Sequence, residues 1–384
     1  MKIAVPKEIF DGETRVALIP SMIPMLVRDG HEVLVQEAAG LAASFDDDQY
    51  AQAGAKLIPE ASSLYSEADV VVKVRPPEIS EVDMMPEGST YIGFLAPLDS
   101  PDIVKRMARR RITGFSMEYV PRITRAQSMD ALSSMATVAG YKSVLLATER
   151  LGKMFPLLMT AAGTVPPAVV LILGAGVAGL QAIATAKRLG ANVEAFDPRP
   201  AVKEQVQSLG ASFVEMEMPE DAETEGGYAK ELSPEFIKKE MEAIAGRLPK
   251  VHVVITTAQV FGKRAPILIT GEMVKLMKPG SVIVDLAAEQ GGNCELTEPG
   301  KIVEKNRITI IGTLNLPALI PVDASQMYSK NIVNLLRHLY PEGKPDQAVA
   351  DFEDEIAKGA CITRNGEIVN EMVKNALTQK GEKT

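Results

Sequence analysis

The segment Leu171-Ile-Leu-Gly-Ala-Gly-Val-Ala-Gly179 constrains the fold more than any other part of the chain. The apolar run Val169 to Leu173 is long enough for a buried parallel strand. Gly174, Gly176 and Gly179 follow with G-x-G-x-x-G spacing, and Leu180, Ile183, Ala184 and Leu189 continue at helical periodicity. Each glycine has its own task. Gly174 permits a tight turn, Gly176 lets the backbone approach a pyrophosphate, and Gly179 lets helix and strand pack closely. The pyrophosphate is expected on the unsatisfied N–H groups of a helix beginning near Val177 and Ala178. That helix stops at Gly190, and Asn192–Phe196 reads as a second strand ending in Asp197, 18 residues beyond Gly179 (197 − 179). A carboxylate there accepts both hydroxyls of an adenosine ribose and repels a 2′-phosphate, which favours NAD(H) over NADP(H). Arg199, in Asp197-Pro198-Arg199-Pro200, pulls the other way, because an arginine near this position can pair with a 2′-phosphate. It also reads as an exposed side chain after a turn, or one stacked on the adenine. Asp197 stands at the strand tip itself, so its repulsion decides for NAD(H).

A chain of 384 residues is long enough for two domains with full cores. Its 46% hydrophobic and 24% charged residues are ordinary for a globular protein. A net charge of −9 leaves no basic stripe to neutralise phosphates and argues against nucleic acid. The cluster Lys105, Arg106, Arg109, Arg110, Arg111 reads as the solvated face and last turn of one helix. Cys294 and Cys361 have no C-x-x-C spacing, which points to a reducing compartment. His31, His252 and His338 lie far apart and offer no metal-ligand spacing. Met1–Glu8 carries charges where a signal peptide needs an apolar core. Phe155 to Ala186 is broken by Pro156, Pro166, Pro167 and several glycines, so it reads as loop, strand and helix rather than a membrane span.

The pattern predicts an α/β protein of two Rossmann-like doubly wound domains with a cleft between them. In the first, strands at Lys2–Pro6, His31–Gln36, Val70–Val74 and Tyr91–Leu95 alternate with helices at Ser21–Gly30, Asp48–Gly54 and Asp102–Arg111. Thr124 to Arg150 reads as one long helix bridging the domains. Later strands are expected at Val251–Thr256, Ser281–Leu286 and Ile308–Gly312, and helices at Pro234–Ala245, Gly271–Met277 and Ala324–Leu339. Asn365-Gly366 marks a hairpin between Ala360–Thr363 and Glu367–Val369. The resulting division is a discontinuous domain of residues 1–135 plus about 325–384 around a nucleotide-binding domain of residues 136–324. Glu217 to Pro234 carries no period; Gly226 and Gly227 give hinge freedom, and Tyr228 suits a flap over a nucleotide, with an acidic surface loop as the alternative.

One helix entry is dense in hydrogen-bonding groups. Within Val120–Ala136, Ser128 reads as a helix cap, with Arg122, Gln127, Asp130 and Ser133 crowded near the helix start. Such a terminus either orients a nicotinamide or is simply a capped interdomain helix whose arginines pair with neighbouring acids.

Three segments carry a family resemblance. Pro6-Lys-Glu-Ile-Phe-Asp-Gly-Glu-Thr-Arg-Val-Ala17, the glycine turn with Asp197, and Asp285-Leu-Ala-Ala-Glu-Gln-Gly-Gly292 resemble the alanine dehydrogenase/pyridine nucleotide transhydrogenase family. Arg122–Ala136 and Asp221–Lys230 are similar to the NAD(H)-binding component of proton-translocating transhydrogenases. The similarity runs from about Met1 to Glu371, and the length matches a separate NAD(H)-binding subunit.

The resemblance implies hydride transfer from NADH bound here to NADP(H) on a partner component, coupled to proton movement by a membrane-spanning component. It places the chain in the cytoplasm, held at the inner membrane through those partners, and implies a homodimer with the Asn365–Gly366 hairpin as an exchanged element. Arg122, Gln127, Asp130 and Ser133 would hold the nicotinamide and its ribose, with Gln127 reaching toward the second nucleotide. Ser128, Met129 and Leu132 join the cofactor-binding set. Asp197, Pro198 and Arg199 line the adenosine side, Val177, Ala178 and the glycines flank the pyrophosphate, and Tyr228 closes over the cofactor. Ala258, Gln259 and Leu286 fall at strand ends, where doubly wound folds place a ligand.

The other activity in the family is amino-acid dehydrogenation, which needs a carboxylate clamp and a group that moves a proton. Arg15 matches a substrate-binding position of alanine dehydrogenase, and its substrate lysine falls at Lys73 or, in the preferred register, at Arg75. Its histidine general acid/base falls within Tyr91–Pro97, where this chain has Ala96. The aspartate of its Asp-Gln-Gly-Gly motif is Glu289 here. Losing the imidazole removes help typically worth about 10²–10⁴-fold, so this activity is disfavoured.

Overall fold

The computed structural model describes residues 1–215, 234–259, 262, 264–341 and 352–381. They fall into two compact units, Met1–Met135 with Ala318–Thr384, and Ala136–Pro317. The first six strands are β1 (Lys2–Val5), β2 (Glu32–Gln36), β3 (Lys56–Ile58), β4 (Val70–Val72), β5 (Thr90–Gly93) and β6 (Thr113–Ser116). Helix α1, Ala131–Arg150, leads from the first unit into the second. There follow β7 (Leu158–Thr160), β8 (Gly163–Val165), β9 (Val169–Leu173), helix α2 (Val177–Arg188), β10 (Asn192–Phe196) and β11 (Ser212–Phe213). Helix α3 (Pro234–Arg247) precedes β12 (Val253–Thr256), β13 (Val282–Asp285), β14 (Ile302–Lys305) and β15 (Ile308–Ile311). Helix α4 (Pro321–Leu339) and the hairpin β16 (Cys361–Arg364) and β17 (Glu367–Ile368) return to the first unit.

Both sheets have doubly wound order. In the first unit the order is β17-β16-β6-β5-β4-β1-β2-β3, parallel from β6 to β3. In the second it is β11-β10-β9-β12-β13-β15-β14, parallel except for β14. The chain reverses its direction of winding between β1 and β4 in one sheet and between β9 and β12 in the other. Loops at the carboxyl ends of those strands are where such folds bind ligands. Central strands are near-continuous apolar runs because helices cover both faces. Val170, Leu171, Ile172 and Leu173 are all buried, and they divide by alternation between two cores. Val170 and Ile172 pack with Ala182 and Ile183 of α2, while Leu171 and Leu173 pack with Ile244 of α3.

Several boundaries differ from the sequence reading. The expected helix from Thr124 is a 3-10 turn, Thr124–Met129, and the α-helix begins only at Ala131. Ser128 does not cap it. Asp130 does, accepting hydrogen bonds from the Ser133 N–H at 2.8 Å and the Ser133 hydroxyl at 2.6 Å. An aspartate three residues before the bonded N–H satisfies an orphan donor of the first turn, and Ser128 lies too early in the chain to do so. Helix α4 starts at Pro321, not Ala324, because proline is pre-organised for the first helical position and its missing N–H is not needed there. The β7–β8 hairpin falls within the segment Phe155 to Ala186 and had no alternating signal strong enough to mark it. The Asn365–Gly366 hairpin forms, and β16 pairs antiparallel with β6 of the same chain. It forms one edge of the first unit's sheet. No helix among the described residues is long and apolar enough to cross a membrane.

Within the second unit α1 passes close to the start of α2. A Cβ on Gly140 would lie 2.1 Å from the Ala178 carbonyl oxygen, a backbone atom that cannot rotate away. We expect Gly140→Ala to destabilise this unit by roughly 1–3 kcal/mol, read from urea unfolding of the purified chain. Unchanged stability would contradict this packing.

Candidate functional site

The glycine turn between β9 and α2 is built by sterics. Gly174 sits at φ +99°, a conformation that side chains avoid. A Cβ on Gly179 would stand 1.9 Å from the Gly174 carbonyl oxygen, so a methyl here would force the turn open. Gly176 is the N-cap of α2, and no side chain among the described residues caps it. The first N–H groups of a 12-residue helix therefore face outward beside exposed Val177 and half-buried Ala178. Orphan N–H donors combined with the helix dipole form an anion-binding end.

Asp197 follows β10 and is 2% exposed. Its Oδ2 accepts a hydrogen bond from the Ala175 N–H at 2.7 Å, tying the second strand to the glycine turn. Its Oδ1 accepts from the Arg199 N–H at 2.9 Å. The Arg199 guanidinium adds two further bonds, Nε to Oδ1 at 2.8 Å and Nη2 to Oδ2 at 2.7 Å. Arg199 is therefore not a free surface side chain. Two residues after the acid, its fork reaches back to it. Pro198 lies half-buried between them.

Helix α3 brings a second acid that the sequence reading missed. Glu240 is 4% exposed, and burial pushes its carboxyl up to about 7, with the Asp197 charge adding to the effect. Its helix packs on Phe196 through Ile244, next to Leu248. No local motif announces Glu240; only the fold of α3 over β10 does.

The loop after β12 is held from the far side. Asn293, completely buried, accepts the Ala258 N–H at 3.0 Å and donates to the Ala258 carbonyl at 2.9 Å and the Pro266 carbonyl at 2.8 Å. Exposed Gln259 donates to the Leu286 carbonyl at 3.0 Å. Asp285, at the end of β13, accepts from the N–H groups of Ala287, Asn293 and Cys294 and the hydroxyls of Thr256 and Thr297, at 2.6–3.1 Å. Ala258, Gln259 and Leu286 thus share one braced region at the carboxyl ends of β12 and β13. Asn293 follows the Gly291–Gly292 pair, both at positive φ, and that pair was the available signal.

In the first unit the 3-10 turn and its approach present Arg122, Gln127 and Ser128, with Met129 buried and Leu132, Asp130 and Ser133 half-buried. The Ser128 carbonyl accepts from Asn331 at 2.9 Å and Asn334 at 3.1 Å, so α4 fixes the turn. Gly226, Gly227 and Tyr228 lie outside the described residues.

The strand reversal of the first sheet carries ion pairs. Arg15 and Glu13 form a buried fork, with Nε to Oε1 at 2.8 Å and Nη2 to Oε2 at 2.6 Å. Lys73 Nζ lies 2.5 Å from Glu81 Oε1 and 3.8 Å from Glu8 Oε2. Burial pushes Glu8 up to about 7 against the attraction of Lys73. Arg75 lies over the Phe10 ring at 4.2 Å and 4.0 Å from Glu13. A cavity of about 180 Å³ opens beside Lys7, Glu8, Glu13 and Arg15. Ala96 sits at φ +41°, and half-buried Glu118 accepts the backbone N–H groups of Leu95 and Ala96 at 2.9–3.1 Å. Burial pushes the Glu118 carboxyl up.

A doubly wound sheet with an open glycine turn at its strand reversal and an acid at the next strand tip defines the dinucleotide-binding class. Residues 4–139 match the model of the alanine dehydrogenase/PNT N-terminal domain, and residues 143–371 that of the alanine dehydrogenase/PNT C-terminal domain. The chain belongs to this family. It is 49% identical to an NAD(P) transhydrogenase subunit alpha chain of Rhodospirillum rubrum, over 99% of this chain and 100% of that one. A transhydrogenase structure from Sinorhizobium meliloti superposes with a TM-score of 0.85 at 40% identity, covering 97% of this chain and 100% of the other. An L-alanine dehydrogenase structure gives 0.83 at 28% identity, with 99% of each chain covered. The family membership identifies the chain as a transhydrogenase-related, nicotinamide-nucleotide-binding component.

Glu240 generates a pH signature. A carboxyl raised from 4.5 to about 7 on folding contributes stability that is fully present below about 4.5 and lost as pH rises through about 7. Glu240→Gln should therefore gain on the wild type between pH 5 and pH 8, by up to about 3 kcal/mol, in parallel chemical-denaturation curves. A gain independent of pH would rule out titration of this group.

Proposed function

We propose that this chain binds NAD(H) at the β9–α2 turn and presents the nicotinamide to NADP(H) on a partner component for direct hydride transfer. A membrane-spanning partner then couples the transfer to proton movement, and this chain works at the cytoplasmic side of the inner membrane through those partners. The observation that carries the reading lies in the sequence after β5 of the first unit. By the family resemblance the imidazole that an amino-acid dehydrogenase needs falls at Ala96, and no histidine lies between His31 and His252. Amino-acid chemistry would require a clamp for the substrate carboxylate and a proton carrier. Hydride transfer between two nicotinamides requires neither. It needs the reacting carbons held about 3–3.5 Å apart with water excluded, a matter of position.

The residues present suit a bound dinucleotide. The N–H groups at Val177, Ala178 and Gly179 offer donors to a pyrophosphate, and Asp197 offers acceptors to the adenosine ribose. Arg122, Gln127, Asp130 and Ser133, with Ser128, Met129 and Leu132, supply polar, non-nucleophilic groups and apolar support for the nicotinamide and its ribose. Ala258, Gln259 and Leu286 extend the nucleotide side. The S. meliloti and R. rubrum relatives support this reading.

We also propose a homodimer. The surface that favours it is the β7–β8 hairpin, where Leu157, Met159 and Val165 are exposed together with Met154. A second copy covering this apolar arm would remove it from water.

The deciding assay mixes the chain with an NADP(H)-binding transhydrogenase component and follows transfer between nucleotides, beside a control of pyruvate plus ammonia with NADH. Transfer without pyruvate turnover is expected; turnover of pyruvate, or no transfer with a competent partner, refutes the proposal. Gln127→Asn should leave NADH affinity within about twofold and slow transfer by about tenfold or more, as loss of positioning does. Unchanged transfer would remove Gln127 from the site.

A further inference from the structure

Among the described residues Asp197 receives four hydrogen bonds, arranged as two matched pairs. Each carboxylate oxygen takes one from a backbone N–H, Ala175 on Oδ2 and Arg199 on Oδ1. Each takes one more from the Arg199 guanidinium, Nη2 on Oδ2 and Nε on Oδ1. The backbone bonds belong to the turn itself and persist whatever binds. The guanidinium bonds belong to a side chain that is 12% exposed. A ribose 2′,3′-diol has two donors on adjacent carbons, one for each oxygen. It can replace the guanidinium bonds without disturbing the backbone pair. The same guanidinium lies against the glycine turn, with Arg199 Nη2 3.9 Å from where a Gly176 Cβ would stand. It therefore sits beside the turn through which a dinucleotide must approach.

We propose that Arg199 is an internal stand-in for the adenosine ribose and sets the nucleotide preference of the site. Without nucleotide its fork satisfies Asp197, which would otherwise be a buried, under-bonded charge beside Glu240. NAD(H) binds by exchanging the ribose diol for that fork. The displaced cation becomes the counter-charge nearest the ribose, where a 2′-phosphate would pair with it. Arg199 thus costs NAD(H) affinity and at the same time softens the rejection of NADP(H) by Asp197. Removing it leaves Asp197 open to the diol and with undiminished repulsion of a 2′-phosphate. This inference rests on the NAD(H) reading above.

The test compares wild type with Arg199→Met, which keeps the aliphatic length without the fork, in fluorescence titrations with NADH and NADPH separately. NADH should bind about tenfold tighter to the variant, roughly the gain from no longer breaking a hydrogen-bonded pair, while NADPH gains nothing. NADH affinity unchanged or weakened overturns the inference, as does equal tightening of both nucleotides. Failure of the wild type itself to bind NADH overturns the NAD(H) reading and this inference with it, whereas wild-type binding with an indifferent variant overturns this inference alone. Should the variant not fold, the wild-type Arg199 Nε–Hε resonance replaces it. Its exchange protection should be lost at saturating NADH, and persistence of that protection overturns the inference.

Discussion

The cost of burying a carboxylate organises both units. An ionised acid removed from water must be met by donors, and the densest supply of uncommitted donors in a parallel sheet is the backbone just beyond its strand ends. Asp197 ties the tip of β10 to the turn after β9. Asp285 gathers the loop from Ala287 to Thr297 around the end of β13. Glu118 grips Leu95 and Ala96 after β5, and Glu8 accepts the Val74 N–H after β4. Loops of this kind would otherwise be the least ordered part of the fold. Here each is fixed by an acid that must find its donors there.

The same architecture has been put to two uses. Both sheets reverse their winding at equivalent places, β1 to β4 and β9 to β12. In the second unit the reversal carries glycines whose missing side chains leave helix N–H groups open. In the first it carries Arg15, Glu13, Lys73, Glu81 and Glu8, which satisfy one another in buried pairs. Replacing the members of such a set one at a time leaves a partner stranded, so the set resists change even where it performs no chemistry. That explains how a charged cluster of this size accompanies a site whose proposed work is holding and orienting a nucleotide.

What the sequence revealed, and what it hid, follows the range of the interactions. The glycine turn, both flanking strands and Asp197 were legible because their tasks are set by residues within one β-α-β unit. The doubly wound class was legible from the alternation of apolar runs and helical periods. Asp130 as the cap of α1 was misassigned to Ser128, since both residue types cap helices and only the backbone reveals which one stands at the boundary. The pairing of Arg199 with Asp197 was local but ambiguous, as a long side chain two residues from an acid can point either way. Glu240 and Asn293 were invisible. The first acts through helix packing and the second through bonds to Ala258, 35 positions away in sequence.

The borders of the two sheets have a consequence for how copies can associate. The first ends in two-residue β17 and three-residue β3, the second in two-residue β11 and in β14. Strand β14 runs against its neighbour and shows exposed Glu304 and Lys305. Stubby or charged margins give an incoming strand almost nothing to zip onto. Self-association by ribbon extension, the route that ends in fibres, is closed to these two sheets, and any partnership they support must be written in side chains.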